Sequence, residues 1–252
     1  MPSIRSVPDT VWTNLGTKRI FFGHQSVGAN IMEGIAEIVR GEPRIGIRVT
    51  DDQAALSGSG GVFGHWAIGK NGDPRLKTDE FARLVEGPLG GRVDMAFHKY
   101  CYADIFDATD VDSVFDHYRQ TMGRLRAEYP NVVFVHVTTP LVRVQSGPKA
   151  ALKKLLGRSP ARYASNMARE RFNDLMRGTY GGKEPVFDLA VVESTRPDGE
   201  RETIQFGGRT SHALVPAYTT DGSHLNEMGR RRVAEELLVF LARMPASGEG
   251  TR

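Results

Sequence analysis

Two short stretches at opposite ends of the chain carry side chains that could do chemistry together. In Phe21-Phe22-Gly23-His24-Gln25-Ser26-Val27-Gly28 an apolar run of strand type ends at a glycine, a serine follows, and a periodic helix begins at once. That geometry puts a hydroxyl at the mouth of a sheet, against a helix N-terminus. In Thr220-Asp221-Gly222-Ser223-His224-Leu225-Asn226 an aspartate and a histidine lie three residues apart in a loop that feeds the last helix. In a tight turn this spacing lets the carboxylate reach one imidazole nitrogen and leaves the other facing outward. The chemistry implied is nucleophilic: Ser26 attacks, His224 takes its proton, and Asp221 holds the imidazole. A serine at a helix start also has a plainer use, as an N-cap that accepts a backbone N–H.

These residues need elements that bring them together. Lys18 to Phe22 reads as a first strand, and Ile31, Ile35, Ile38 and Val39 form the buried stripe of the helix after it. Arg44 to Thr50 alternates as a second strand. Asp51 to Pro74 is then a glycine-rich connection of the length that tends to be functional, closed by a short helix from Thr78 to Val85. Val93 to Phe97 is a third strand. A helix from Val111 to Glu128 follows, capped by Asp110, and Val132 to Val137 is a near-continuous apolar run suited to a strand buried on both faces. A basic loop with Lys149, Lys153, Lys154 and Arg158 leads to a helix over Ala161 to Arg177, and Val186 to Val192 reads as a fifth strand. Residues 194–220 read as a polar excursion with a hairpin. A final helix starts near Asn226 and buries Val233, Leu237, Phe240, Leu241 and Met244, before a polar tail.

Strand and helix alternate about five times, which argues a three-layer α/β/α sandwich on a parallel sheet, flavodoxin-like in the order 2-1-3-4-5. One domain over residues 1–252 is expected, its core about 18–243. Ligands of such sheets bind beyond the carboxyl ends of the strands. Ser26, the glycine-rich connection and the segment His98 to Asp104 all fall on that edge.

Composition removes several alternatives. Lys and Arg number 33 against 30 Asp and Glu, with no dense basic block, so no nucleic-acid partner is expected. Cys101 is the single cysteine, which excludes a disulfide framework and a cysteine-rich zinc site. The histidines lack metal spacing, and the glycine segment lacks the Gly-Lys-Ser/Thr of a phosphate loop, so neither metal nor organic cofactor is expected. Met1 to Gly16 has no apolar signal-peptide core, and no run approaches the roughly 18 apolar residues of a spanning helix. No membrane partner and a cytoplasmic location are the expectation. Phe63, His65 and Trp66 could form a sugar-stacking platform or a lid; the basic loop reads as a solvated face able to attract an anionic polysaccharide.

A serine after the first strand, with Asp-x-x-His before the last helix, resembles the SGNH/GDSL hydrolase superfamily. The specific part is Asp221-Gly222-Ser223-His224-Leu225-Asn226-Glu227-Met228-Gly229, running into Ala234 and Leu237. Tyr129-Pro130 with Thr138-Thr139-Pro140-Leu141, and Arg171-Phe172-Asn173-Asp174 with Phe187-Asp188-Leu189-Ala190, are similar in order. The resemblance implies ester hydrolysis through an acyl-enzyme formed on Ser26, with His224 and Asp221 as base and partner. It also implies an oxyanion hole made by the serine N–H, a glycine N–H after the second strand and an asparagine after the third. Two departures stand out. Gly23-His24-Gln25-Ser26 replaces Gly-Asp-Ser, and Cys101-Tyr102-Ala103-Asp104 lacks the asparagine. Losing one oxyanion donor costs on the order of 3 kcal/mol, so another group should replace it. Lys99 and Tyr102 are the nearest donors, Gly61 is the glycine expected, and His24 and Gln25 are placed to support the serine. The expected activity is hydrolysis of an O-acyl ester, carbohydrate O-acetyl favoured. An acyltransferase on the same site and a catalytically silent binding module are the alternatives.

Overall fold

The computed structural model describes residues 4–244; the polar tail read at the end of the chain lies outside them. The elements are α1 (Asp9–Leu15), β1 (Arg19–His24), α2 (Val27–Gly41), β2 (Arg48–Thr50), β3 (Val62–Ala67), α3 (Pro74–Glu86), β4 (Met95–His98) and α4 (Val111–Glu128). They continue as β5 (Val133–Phe134), β6 (His136–Val137), α5 (Pro148–Leu155), α6 (Tyr163–Tyr180), β7 (Val186–Phe187), α7 (Leu189–Ser194), β8 (Thr203–Phe206), β9 (Arg209–His212) and α8 (Glu227–Ala242). The central sheet runs β2-β3-β1-β4-β5 with every pair parallel. The chain passes from β5 to β6 through Val135, and β6 pairs parallel with β7. The expected strands thus keep their 2-1-3-4-5 order with helices on both faces.

Three local readings change, among them the basic loop around Lys149, Lys153 and Lys154, most of which is the helix α5. Val62–Ala67, assigned to the glycine-rich connection, is a strand that lies between β2 and β1 and pairs with both. Phe63 is therefore core and unavailable to a sugar platform or lid, and half-buried Trp66 packs against Phe21 with ring centroids 4.3 Å apart and planes tilted by 34°. The strand expected over 186–192 stops at Phe187. Asp188 accepts a hydrogen bond from the Val191 N–H and so caps a helix, turning the apolar run Leu189-Ala190-Val191-Val192 helical. The excursion over 194–220 does contain a hairpin, β8 against β9.

Strand alternation sorts the core into two layers. Ile20, Phe22, Met95 and Phe97 meet Trp12, Ile31, Ile35, Val233 and Leu237 from α1, α2 and α8. Phe21, Ala96 and Phe134 meet Phe81, Val114, Met122 and Phe172 from α3, α4 and α6. Among the described residues no helix is long and apolar enough to cross a membrane.

His98 ends β4 inside the second layer, 2% exposed among the rings of Phe81, Tyr100 and Tyr118, with neither ring nitrogen hydrogen-bonded. Burial first, and then the cations of Lys77 and Lys99 and the nearby His136, push its pKa from 6.5 down to about 3. The unfolded chain binds a proton there below pH 6.5 and the folded chain does not until about 3. Stability should therefore fall as pH drops through that window, by on the order of 3 kcal/mol from this residue at pH 4. His98→Phe should recover that amount in urea titrations at pH 4 relative to pH 7. An unchanged difference between the two pH values would refute the assignment.

Candidate active site

β1 and α2 meet at Ser26, whose backbone takes φ 46° and ψ −103°. A serine held at positive φ costs roughly 1–3 kcal/mol, and such strain persists only where the surroundings impose it. Here the imposition is tight. A side chain at Gly28 would put its Cβ 2.3 Å from that of His24, so glycine alone lets the first turn of α2 pack onto the end of β1. Ser26 occupies the N-cap position of α2 yet makes no side-chain capping bond. Its Oγ lies 2.5 Å from His224 Nε2 instead.

The histidine is held by its own turn. His224 Nδ1 is 2.6 Å from Asp221 Oδ2, while Asp221 Oδ1 accepts the backbone N–H groups of Ser223 and His224 at 2.7 and 2.8 Å. Gly222 O accepts from the Arg143 N–H at 2.9 Å and from Arg162 Nη1 at 2.8 Å, and Asn226 caps α8 by accepting from the Gly229 N–H. Burial pulls the Asp221 pKa upward, but the bonds from the His224 ring and the two amides outweigh it and hold the carboxyl well below its usual range. Asp221 is thus an anion facing Nδ1, which leaves Nε2 as the acceptor toward Ser26. Both side chains are about half exposed, so the site opens at the surface.

The structure separates the two candidate donors. Lys99 is 1% exposed, and its Nζ donates to Tyr100 O at 3.2 Å and to Cys101 Sγ at 3.6 Å. Burial lowers its pKa. It lies beneath the site, and the expectation that it faces an oxyanion is corrected. Tyr102 is only half-buried, and its hydroxyl stands 3.5 Å from His224 Nε2 with the two rings edge to face. Gly61 is also corrected. It precedes β3 and so lies at the amino end of the sheet, away from Ser26. A Cβ there would fall 2.2 Å from Gly16 O, so Gly61 serves close packing of two chain segments. At the carboxyl end of β3 the glycine is Gly69, and its N–H is committed to the Glu80 carboxylate.

The two residues before the serine are both occupied. Gln25 Nε2 donates to Ile68 O at 3.1 Å and Gly69 O at 2.9 Å, tying the loop after β1 to the loop after β3. His24 Nε2 is 2.9 Å from His65 Nδ1, and its pKa falls to about 3 through burial, aided by Lys99 and His65. A neutral His24 therefore packs beside Ser26 and brings no charge to it.

Sequence reading missed the support behind Tyr102. Arg169 of α6, 4% exposed, donates to Tyr102 O from Nε at 3.0 Å and from Nη2 at 2.6 Å, and to Asn166 Oδ1 at 2.7 Å. Burial lowers its pKa to about 10, so the guanidinium remains charged. Asn166 in turn bonds the backbone of Val142, and Asn173 that of Thr139. The signal was available: Asn166, Arg169 or Glu170, and Asn173 recur at helical spacing, a polar stripe on the face that α6 turns inward.

No family model matches the chain, and no curated protein matches it. Solved structures do. A protein from Bacteroides fragilis, provisionally named an acylhydrolase, superposes with a TM-score of 0.53 at 13% identity, covering 88% of this chain and 85% of that one. A GDSL-like lipase from Bacteroides thetaiotaomicron gives 0.50 at 12% identity over 93% and 90% of the two chains. A lipase/acylhydrolase from Enterococcus faecalis gives 0.50 at 12% identity over 89% and 95%. At these identities the likeness is one of architecture: the chain has the α/β fold of the SGNH/GDSL hydrolases.

Proposed function

We propose that this chain is a serine hydrolase that cleaves esters through an acyl-enzyme on Ser26. The observation that carries the proposal is the direction of one side chain. Ser26 sits where a serine ordinarily caps its helix, yet its Oγ turns away to His224 Nε2 at 2.5 Å. In the first half-reaction Oγ forms a bond to the acyl carbon as its proton moves to Nε2. Asp221 stabilises the imidazolium through Nδ1. The tetrahedral adduct collapses, the C–O bond to the alcohol breaks, and the leaving oxygen takes the proton from Nε2. Water then repeats the sequence and releases the acid.

The developing oxyanion needs donors already aimed at it. The Ser26 N–H, free of hydrogen bonds among the described residues, is one. The Tyr102 hydroxyl is the other, in the role the missing asparagine would have filled, and Arg169 fixes its backbone. Named lipases and acylhydrolases of the same fold support ester chemistry. As substrate we propose a short O-acyl group on a larger alcohol, carbohydrate O-acetyl first. A half-exposed Asp221–His224 pair suits a bulky leaving group that stays outside.

A fluorophosphonate probe at neutral pH should label the folded protein at Ser26 and leave Ser26→Ala unlabelled, as read by intact mass. Absence of labelling in the parent would point to a silent binding module.

A further inference from the structure

The segment between Leu141 and Arg162 reaches the site above only where Arg143 and Arg162 hold Gly222 O, and its helix α5 carries an unusual surface. Five large hydrophobic residues are exposed among the described residues, and three of them, Leu152 (58%), Leu155 (84%) and Leu156 (63%), lie on α5 or at its C-cap. Their spacing of i, i+3, i+4 makes one continuous stripe. α5 buries only Ala150, so the stripe covers nothing of its own protein. Lys149, Lys154 and Arg158, all exposed, surround it. Over the whole segment there are six cations, with Arg143, Lys153 and Arg162, and no Asp or Glu. None of the six makes an ion pair among the described residues.

We propose that α5 is a docking element for an anionic lipid bilayer, with the leucine stripe entering the headgroup boundary and the cations resting on lipid phosphates. An apolar face bordered by lysine and arginine is the pattern of helices that lie in a membrane interface. The charge argues against a second copy of this chain as the occupant, since two such faces would bring twelve cations together. The leucines argue against a polysaccharide, which would use the cations and leave the apolar stripe wet. The length rule that set aside a membrane partner concerns spanning helices and does not bear on a peripheral one.

The position of α5 gives docking a consequence. Lys153 Nζ donates to Gln145 Oε1 at 2.8 Å, and Lys153, Arg143 and Arg162 line a cavity of about 460 Å³ that reaches Asp221. Docking would therefore hold the Asp221–His224 rim beside the bilayer and select for esters presented there. That consequence rests on the hydrolase reading; the docking itself does not.

The test is flotation of full-length Ser26→Ala protein, which cannot turn over lipid, with phosphatidylcholine vesicles containing or lacking phosphatidylglycerol. The protein should float with the anionic vesicles and not with the neutral ones. Leu155→Asp combined with Leu156→Asp should abolish flotation, and each of Lys149→Gln, Lys154→Gln and Arg158→Gln should weaken partitioning about fivefold. These side chains are exposed, so unchanged thermal melting of the variants will report an intact fold. The proposal is overturned by no flotation with anionic vesicles, or by leucine variants that float like the parent, which leaves only a generic anion site. It is equally overturned if the leucine variants convert a dimer to a monomer in gel filtration without altering flotation. Failure of fluorophosphonate labelling would leave it untouched.

Discussion

Replacing His224 with alanine is expected to lower kcat for p-nitrophenyl acetate by on the order of 10⁴-fold or more with the melting temperature nearly unchanged. The geometry gives the reason. Ser26 Oγ has His224 Nε2 as its one hydrogen-bond partner among the described residues, so removing the ring leaves a hydroxyl with no base. Asp221→Asn should cost on the order of 10³- to 10⁴-fold. An amide cannot enforce the tautomer that the 2.6 Å bond to Nδ1 now selects. Tyr102→Phe should cost about 10²-fold, and in kcat more than KM, because the hydroxyl is asked to act on the oxyanion and not on the ground state. The three substitutions act on one unit, so their combined effect should fall well short of the product of the single losses. Full activity in Asp221→Asn, or a Tyr102→Phe loss confined to KM, would remove the corresponding role.

Asp104→Ala is the substitution with the largest expected effect on stability, about 3–5 kcal/mol. Lys77 Nζ and Asp104 Oδ2 are 2.5 Å apart and both side chains are fully buried. Asp104 also accepts from the Gly72 N–H at 2.8 Å and from the Cys101 N–H at 2.6 Å, so it ties the loop after β3 to the loop after β4. Its loss strands an ammonium in the interior with Asn71 as its only remaining partner among the described residues. Lys77→Met in the Asp104→Ala background removes the stranded charge and should restore part of the stability, which is how an orphaned ion differs from a merely lost hydrogen bond. Urea midpoints for the parent, the two single variants and the double variant measure this. A single-variant cost near zero, or no restoration in the double, would contradict it.

The reading of Ser26 shows how local signals carry. A strand, a glycine, a serine and a helix stripe are all contained in residues 19–41, and the turn that joins Asp221 to His224 closes within seven residues, Thr219 to Leu225. The signals that mark both fragments lie near in sequence. The errors have the opposite character. An expected strand at 44–50 points to Gly61, but Val62–Ala67 is itself a strand and moves Gly61 to the opposite end of the sheet. Alternation in Val62-Phe63-Gly64-His65-Trp66-Ala67 is masked by a glycine and a histidine, and what makes it a strand is burial between two partners. Val186–Val192 failed because a short apolar run does not distinguish strand from helix; the Asp188 cap decided it.

From its sequence alone, this chain is an alternating α/β protein with a serine at one strand end and an Asp–His turn before its last helix. Hydrophobic period and turn spacing are properties of neighbouring residues, so they are legible without a fold. Only the tertiary structure decided that the Ser26 hydroxyl meets His224 and does not cap α2, that Tyr102 faces the site while Lys99 is buried under it, and that Arg169 holds Tyr102 from behind. Lys99 and Tyr102 are three residues apart and equally able to donate. Which of them is exposed depends on how β4 registers against β1 and how α6 packs over the loop, and both contacts come from chain segments distant in sequence.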